Sequence, residues 1–213
     1  MSSPRLFSIR PRVDRTTAFF CTACGGDRDG EVSAGRRSLA VGGLRVLPWS
    51  RGQGHVRCTA CRGSFTLDAL DVPTSEELGR HLIDLTRVLT ATTVRTGDPT
   101  HRAMRRRAVQ HVRTAIPGYH QNQLDQDMAA IDPAHIGDHV APVADALAVA
   151  GKERLVAGMV QVALAAHTIT PHQRWLIDRV GTSLGLTPMH ITGIVSAVAA
   201  AAEPSAEDPA DRP

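Results

Sequence analysis

From residue 77 onward the apolar side chains fall at helical spacing; before residue 70 they do not. In ELGRHLIDLTRVLTATTV (77–94), Leu78, Leu82, Leu85, Val88 and Leu89 recur every three or four positions, which lines one face of an α-helix. Thr74 followed by Glu77 has the spacing of a capping box and marks where that helix starts. Asp98-Pro99 reads as a cap with proline at the first helical position, opening a helix over 100–116 that stops at Pro117-Gly118. Further helices are predicted over 120–131, over a shorter, Pro-interrupted stretch at 133–149, and over 152–167, 171–184 and 188–201. Thr170-Pro171 and Thr187-Pro188 open the last two. Residues 16–70 instead hold short apolar runs (TTAFF, SLAVGGLRVLP, GHVRC, SFTLDAL) separated by glycines, the pattern of short strands joined by turns.

The predicted architecture is therefore a small β module over 16–70, a junction at 71–75, and an all-α bundle of about seven helices over 75–201. Residues 1–15 have arginine and proline but no periodicity and read as a flexible lead-in. Residues 202–213 are acidic and Pro-rich and read as a disordered tail, because they cannot bury enough surface to order themselves.

Composition sharpens this picture in two ways. Aromatics make up 3% of the 213 residues, so the core must come from Ala, Leu, Val and Ile, which suits closely packed helices. The formal charge of +3 hides a split: residues 1–70 carry 11 arginines against five acids, and the remainder is net negative. The longest apolar runs, such as LVAGMVQVALAA (155–166), fall short of the roughly 20 residues a bilayer requires. No leader segment is visible, and the chain reads as cytoplasmic.

Two cysteine pairs carry the chemistry. Cys21 and Cys24 are separated by two residues, as are Cys58 and Cys61, with 33 residues between the pairs. Two intervening residues let one tight turn aim both sulfurs at the same ion, and four thiolates suit the tetrahedral preference of Zn²⁺. In a reducing compartment four cysteines point to metal ligands rather than disulfides. Gly25-Gly26 and Arg62-Gly63 follow the pairs at equivalent places and supply the turns, giving a zinc ribbon whose spacer forms an extra hairpin or loop at 36–54. Arg28, Arg57 and Arg62 lie beside the sulfurs and can offset their negative charge. An all-cysteine shell leaves no position for water, so the zinc is structural. Unmetallated cysteines and an iron–sulfur or redox role are the competing readings, but neither pair has the strand–helix context of a redox pair. His55 reads as a strand residue, not a fifth ligand.

Other constellations are weaker. Arg102, Arg105, Arg106, Arg107 and Arg113 share one helix and read as a solvated face, with an anionic partner as the alternative. His135 and His139 are four apart but have no third ligand nearby. There is no Gly-x-Ser-x-Gly elbow, phosphate-cradling lysine loop or His-Glu-x-x-His motif, and no enzymatic activity or small-molecule substrate is expected.

Thr96-Gly97-Asp98-Pro99-Thr100-His101-Arg102 and Thr168-Ile169-Thr170-Pro171-His172-Gln173-Arg174 form a weak internal repeat. Each lies between two predicted helices, as duplicated helix–loop–helix units would place them. The stretch 155–191 resembles the tellurite-resistance TerB-like helical domain. Ala165-Ala166-His167-Thr168-Ile169, Thr170-Pro171-His172-Gln173 and Leu184-Gly185-Leu186-Thr187 stand where that family has Ala-Asp-Gly-x-Ile, a Ser/Thr-Pro cap with a glutamate, and Leu-Gly-Leu-Ser/Thr. The front stretch is similar to the four-cysteine ribbon that precedes TerB-like domains in some actinobacterial proteins. The resemblance implies about seven helices built from two repeats. It also implies acidic metal-binding loops, but Thr96 and Ala166 replace the expected aspartates and Gln173 a glutamate. Calcium and magnesium need carboxylate oxygens, so that site is not expected in this chain.

The sequence thus predicts a non-enzymatic zinc-binding adaptor acting through protein partners, with a link to tellurite or another stress response implied by the resemblance. A nucleic-acid-binding module is the alternative. The front seventy residues are net +6 and contain Phe7, Phe19, Phe20, Trp49 and Phe65, which could stack on bases or fill the ribbon core.

Overall fold

The computed structural model of the chain describes residues 13–33, 36–41, 44–51 and 54–202. Most of the expected lead-in and the expected acidic tail lie outside the described residues, as does Phe7. The chain divides into two compact units, with the break between Leu78 and Gly79.

The first unit is built on hairpins. β1 (Arg15–Cys21) and β2 (Gly26–Ser33) are antiparallel and joined by the first cysteine turn; β5 (His55–Cys58) and β6 (Ser64–Thr66) are joined by the second. β2 pairs with β5, so the sheet order is β1-β2-β5-β6 and the two cysteine turns are brought to one end. The long spacer forms its own two-stranded sheet, β3 (Arg36–Val41) with β4 (Leu44–Arg51), which is the extra hairpin expected there. The core of this unit is small: Phe19, Val32 and Val56 pack with Cys21 and Cys58, and Phe65 packs against them from the side. The Phe19 and Phe65 rings lie 5.8 Å apart in a tilted arrangement. Of the aromatics offered for base stacking, these two fill the core. Gly30 makes this possible, because a Cβ there would lie 2.5 Å from Val56 and 2.8 Å from Phe19.

Seven helices follow: α1 (Ser75–Thr96), α2 (Arg102–Arg113), α3 (Gln121–Ala130), α4 (Ile136–Ala144), α5 (Val149–Leu164), α6 (Pro171–Ser183) and α7 (Pro188–Ala202). The predicted capping box at the start of α1 is present. The Thr74 N–H and hydroxyl donate to Glu77, and the Glu77 N–H donates back to Thr74 Oγ1. Within the second unit Ala91, Val94, Met104, Val112, Leu124 and Val162 form one buried cluster, drawn from α1, α2, α3 and α5. The buried threonines Thr92 and Thr93 satisfy their hydroxyls on the carbonyls four residues back.

Two predicted helix starts shift. α2 begins at Arg102, not at Pro99, because the Asp98 carboxylate accepts from the N–H and hydroxyl of Thr100 and holds a turn there; His101 becomes the cap, its Nδ1 accepting from the Met104 N–H at 3.3 Å. α5 begins at Val149 because the N–H groups of Gly151 and Lys152 already close a turn onto Ala148. The Pro-interrupted stretch is a short 3₁₀ turn, Pro133–His135, running into α4 with Pro142 inside it.

Candidate metal centre

Each cysteine turn closes on itself in the same way. In the first, the Gly25 N–H donates to the Cys21 carbonyl at 2.9 Å; in the second, the Arg62 N–H donates to the Cys58 carbonyl at 3.0 Å. The residue after the second cysteine takes left-handed backbone in both, with φ of +67° at Gly25 and +60° at Arg62. Glycine accepts this conformation freely, whereas arginine there is strained.

These turns gather Cys21, Cys24, Cys58 and Cys61 so that all four Sγ atoms lie within 4.8 Å of one another. Cys21 and Cys61 are 3.8 Å apart, and Cys24 and Cys58 are 4.0 Å apart. A tetrahedron with metal–sulfur bonds of about 2.3 Å has edges of about 3.8 Å, so the donor set fits a four-coordinate metal ion. None of the four is in a disulfide. Cys21 and Cys58 are buried, Cys24 is half-buried and Cys61 is exposed, so one side of the centre belongs to the core and the other meets solvent.

The thiols differ in acidity. Burial, together with hydrogen bonds to the other three thiols, pushes Cys24 up to about 12, while backbone N–H groups of Cys61 and Ala60 pull Cys58 down to about 7. Metal coordination takes thiolates, so binding near neutral pH must displace at least the Cys24 proton. Affinity should therefore rise with pH, by about tenfold per unit for each proton displaced. Competition titration with a chromophoric chelator at two pH values checks this, and an affinity independent of pH would contradict it.

Asp27, two residues beyond Gly25, had no assigned role in the sequence reading. Both its carboxylate oxygens accept from the Ser75 N–H, at 3.0 and 2.9 Å, and Oδ1 also accepts from the Ser75 hydroxyl. A residue of the first cysteine hairpin thus caps the first turn of α1, where free N–H groups and the helix dipole favour an anion. Asp27→Ala should cost about 1 kcal/mol of local stability. It should be read as faster amide exchange over residues 75–78, and unchanged protection there would show that Thr74 alone holds the helix start.

The other sequence candidates are not drawn into a site. His55 is the first residue of β5 and lies outside the sulfur cluster. His135 pairs with Asp132 and His139 with Asp84, so the two histidines serve different carboxylates. In the two interhelical loops of the internal repeat, Thr96 Oγ1 turns back to the carbonyls of Thr92 and Thr93. Gln173 is wholly buried: its Oε1 accepts from the Thr170 N–H, and its Nε2 donates to the Thr93 carbonyl at 2.9 Å. These loops meet through neutral hydrogen bonds, and the sulfur cluster is the one group of three or more metal-ligating side chains among the described residues. A partly buried network joins α1 to α3, with Arg87 and the Tyr119 hydroxyl both donating to Asp127. Burial and the Asp127 hydrogen bond push the Tyr119 phenol up from its ordinary range.

The fold and centre define a class: a small antiparallel sheet with a four-cysteine cluster suited to a metal ion, followed by seven helices. Comparison with protein-family models, with curated proteins and with solved structures finds no match. No helix among the described residues is long and apolar enough to cross a membrane.

Proposed function

We propose that this chain is a non-enzymatic adaptor of the cytoplasm, in which a structural Zn²⁺ holds the front unit and a TerB-like helical unit engages a protein partner. The observation that carries the reading is the closed four-sulfur centre. All four corners of its tetrahedron are filled by protein, as structural rather than catalytic zinc requires. The TerB-like assignment draws support from backbone geometry at the positions that carry the resemblance. His167 stands where the family pattern has glycine and takes φ of +72°. Gly185 ends α6 at φ +80°, with Leu184 and Leu186 buried on either side. Thr170 and Gln173 form a reciprocal capping box. A setting in tellurite or another stress response follows from that resemblance alone.

Contact with a protein is supported by α6. Trp175 is 57% exposed, and the Arg179 guanidinium lies 5.2 Å over its ring. Tryptophan and arginine are the residue types that most often anchor protein interfaces. The test is affinity capture from the native cell with the full chain and with Trp175→Ala, alongside metal analysis of both. The reading expects about one equivalent of zinc in each protein and a partner lost only from the variant. Identical partners for both proteins would refute the α6 surface. A salt-sensitive mobility shift with DNA or RNA would favour the nucleic-acid alternative, which retains the positive charge of the front unit but not base stacking by Phe19 or Phe65.

A further inference from the structure

Helix α2 carries its charge at the costly end. Arg102, Arg105, Arg106 and Arg107 all fall within its first six residues, and its first turn contains no acid. The N-terminal end of a helix is the positive end of its dipole, so cations there are unfavourable. Arg102 and Arg106 are also four residues apart, where like charges repel along a helix face. Two of the four are engaged. Arg105 donates to the Pro99 carbonyl at 3.0 Å and to Asp125 at 2.6 Å, and Arg107 donates to Gln161 at 2.6 Å. Arg102 and Arg106 are exposed and have no hydrogen-bond or ion-pair partner among the described residues.

Three of these arginines share one concavity. A cavity of about 560 Å³ is lined by Thr100, Arg102, Arg105, Arg106 and Gln121. Gln121 is the first residue of α3, whose opening turn likewise contains no acid. The two neighbouring carboxylates are already committed, Asp125 to Arg105 and Asp98 to the N–H and hydroxyl of Thr100. Three arginines and the first residue of α3 therefore line one space, and no acidic residue is among its lining.

We propose that this cavity binds a phosphate dianion, clamped by Arg102 and Arg106 with Arg105 as a third donor. The planar fork of arginine matches phosphate oxygens two at a time, which lysine cannot do. The dianion supplies the negative charge that the start of α2 lacks. The site stands on the helical unit alone and is independent of zinc in the front unit. The phosphate can come from a phosphorylated side chain of a partner or from free phosphate.

The experiment uses the full chain at low salt, with calorimetric titration and thermal melting. The probes are inorganic phosphate, a short phosphoserine peptide, its unphosphorylated form and a single-stranded oligonucleotide. Both phosphate probes should bind and the unphosphorylated peptide should not. The double substitution Arg102→Gln/Arg106→Gln should weaken phosphate binding at least about tenfold, while Arg113→Gln at the far end of α2 should leave it intact. Without ligand the double variant should melt about 2–4 °C above the wild type, because the charge clash is gone, and phosphate should raise only the wild-type melting point. Tighter binding of the phosphopeptide than of inorganic phosphate assigns the site to a modified partner; equal binding assigns it to the free anion. Absence of phosphate binding, equal phosphate affinity in wild type and double variant, or tighter binding of the oligonucleotide than of the phosphopeptide overturns the proposal.

Discussion

Chelating an ion held by the four cysteines, or replacing Cys58 by serine, should unfold the front unit and leave the helical unit folded. The physical reason is the size of the front core. Its buried members are Phe19, Val32 and Val56 together with two of the sulfur donors themselves, Cys21 and Cys58. Units of about 60 residues bury too little apolar surface to be secure without a staple. Binding of a structural Zn²⁺ contributes about 10–16 kcal/mol at neutral pH, more than the whole stability of most small domains. Removing it also leaves four sulfurs clustered within 4.8 Å of one another, whose thiolates repel when ionised. The helical unit has its own buried cluster and should not follow. Backbone NMR before and after chelation checks this. Amide signals from residues 15–66 should collapse toward random-coil positions and return with added zinc, while those from 79–202 persist. A front unit that keeps its signal dispersion under chelator would show that the sheet folds without metal.

Gln173→Glu is expected to be the most damaging near-isosteric change in the helical unit. The side chain is wholly buried, and its two polar ends do different work: Oε1 accepts from the Thr170 N–H, while Nε2 donates to the Thr93 carbonyl. A carboxylate can keep the first bond but must set its second oxygen against that carbonyl. It cannot move away, because Gly97 is pressed against the same group; a Cβ on Gly97 would come within 3 Å of the Gln173 side chain. Burying an unpaired charge in this place costs about 2–4 kcal/mol. The folded protein would hold such a glutamate above its ordinary titration range, so the loss is full at neutral pH and shrinks as pH falls and the group is protonated. Denaturant melts at neutral and mildly acidic pH measure both parts. Equal stability of the two proteins at neutral pH would show that the Nε2 bond to Thr93 is not needed.

Much of this was legible along the chain because it is local. The spacing Cys-x-x-Cys, repeated, specifies two turns that each present two sulfurs, and the structure closes both by bonds within the turn itself. The three-residue spacings Thr74 to Glu77 and Thr170 to Gln173 specify caps, and both caps form. At 98–102 the local reading failed for a local reason: Asp98-Pro99 resembles the Thr170-Pro171 cap, but Thr100 offered the aspartate a nearer hydrogen bond than a helix start would. The left-handed position of the second turn falls on Arg62, where the first turn has Gly25, and residue type alone does not announce it.

The sequence by itself determined the helices and most of the strands, though no apolar run marked β2, and it determined which four side chains are able to hold an ion. These depend on side-chain periodicity and on hydrogen bonds spanning three or four residues. Only the tertiary structure decided that Asp27 caps a helix 48 positions away, that Arg87 meets Asp127 across 40, and that Gln173 reaches Thr93 across 80. Nothing in the chemistry of those residues selects these partners. Packing of apolar faces brings the backbones together first, and each buried polar group then must find whatever donor or acceptor that packing has placed beside it.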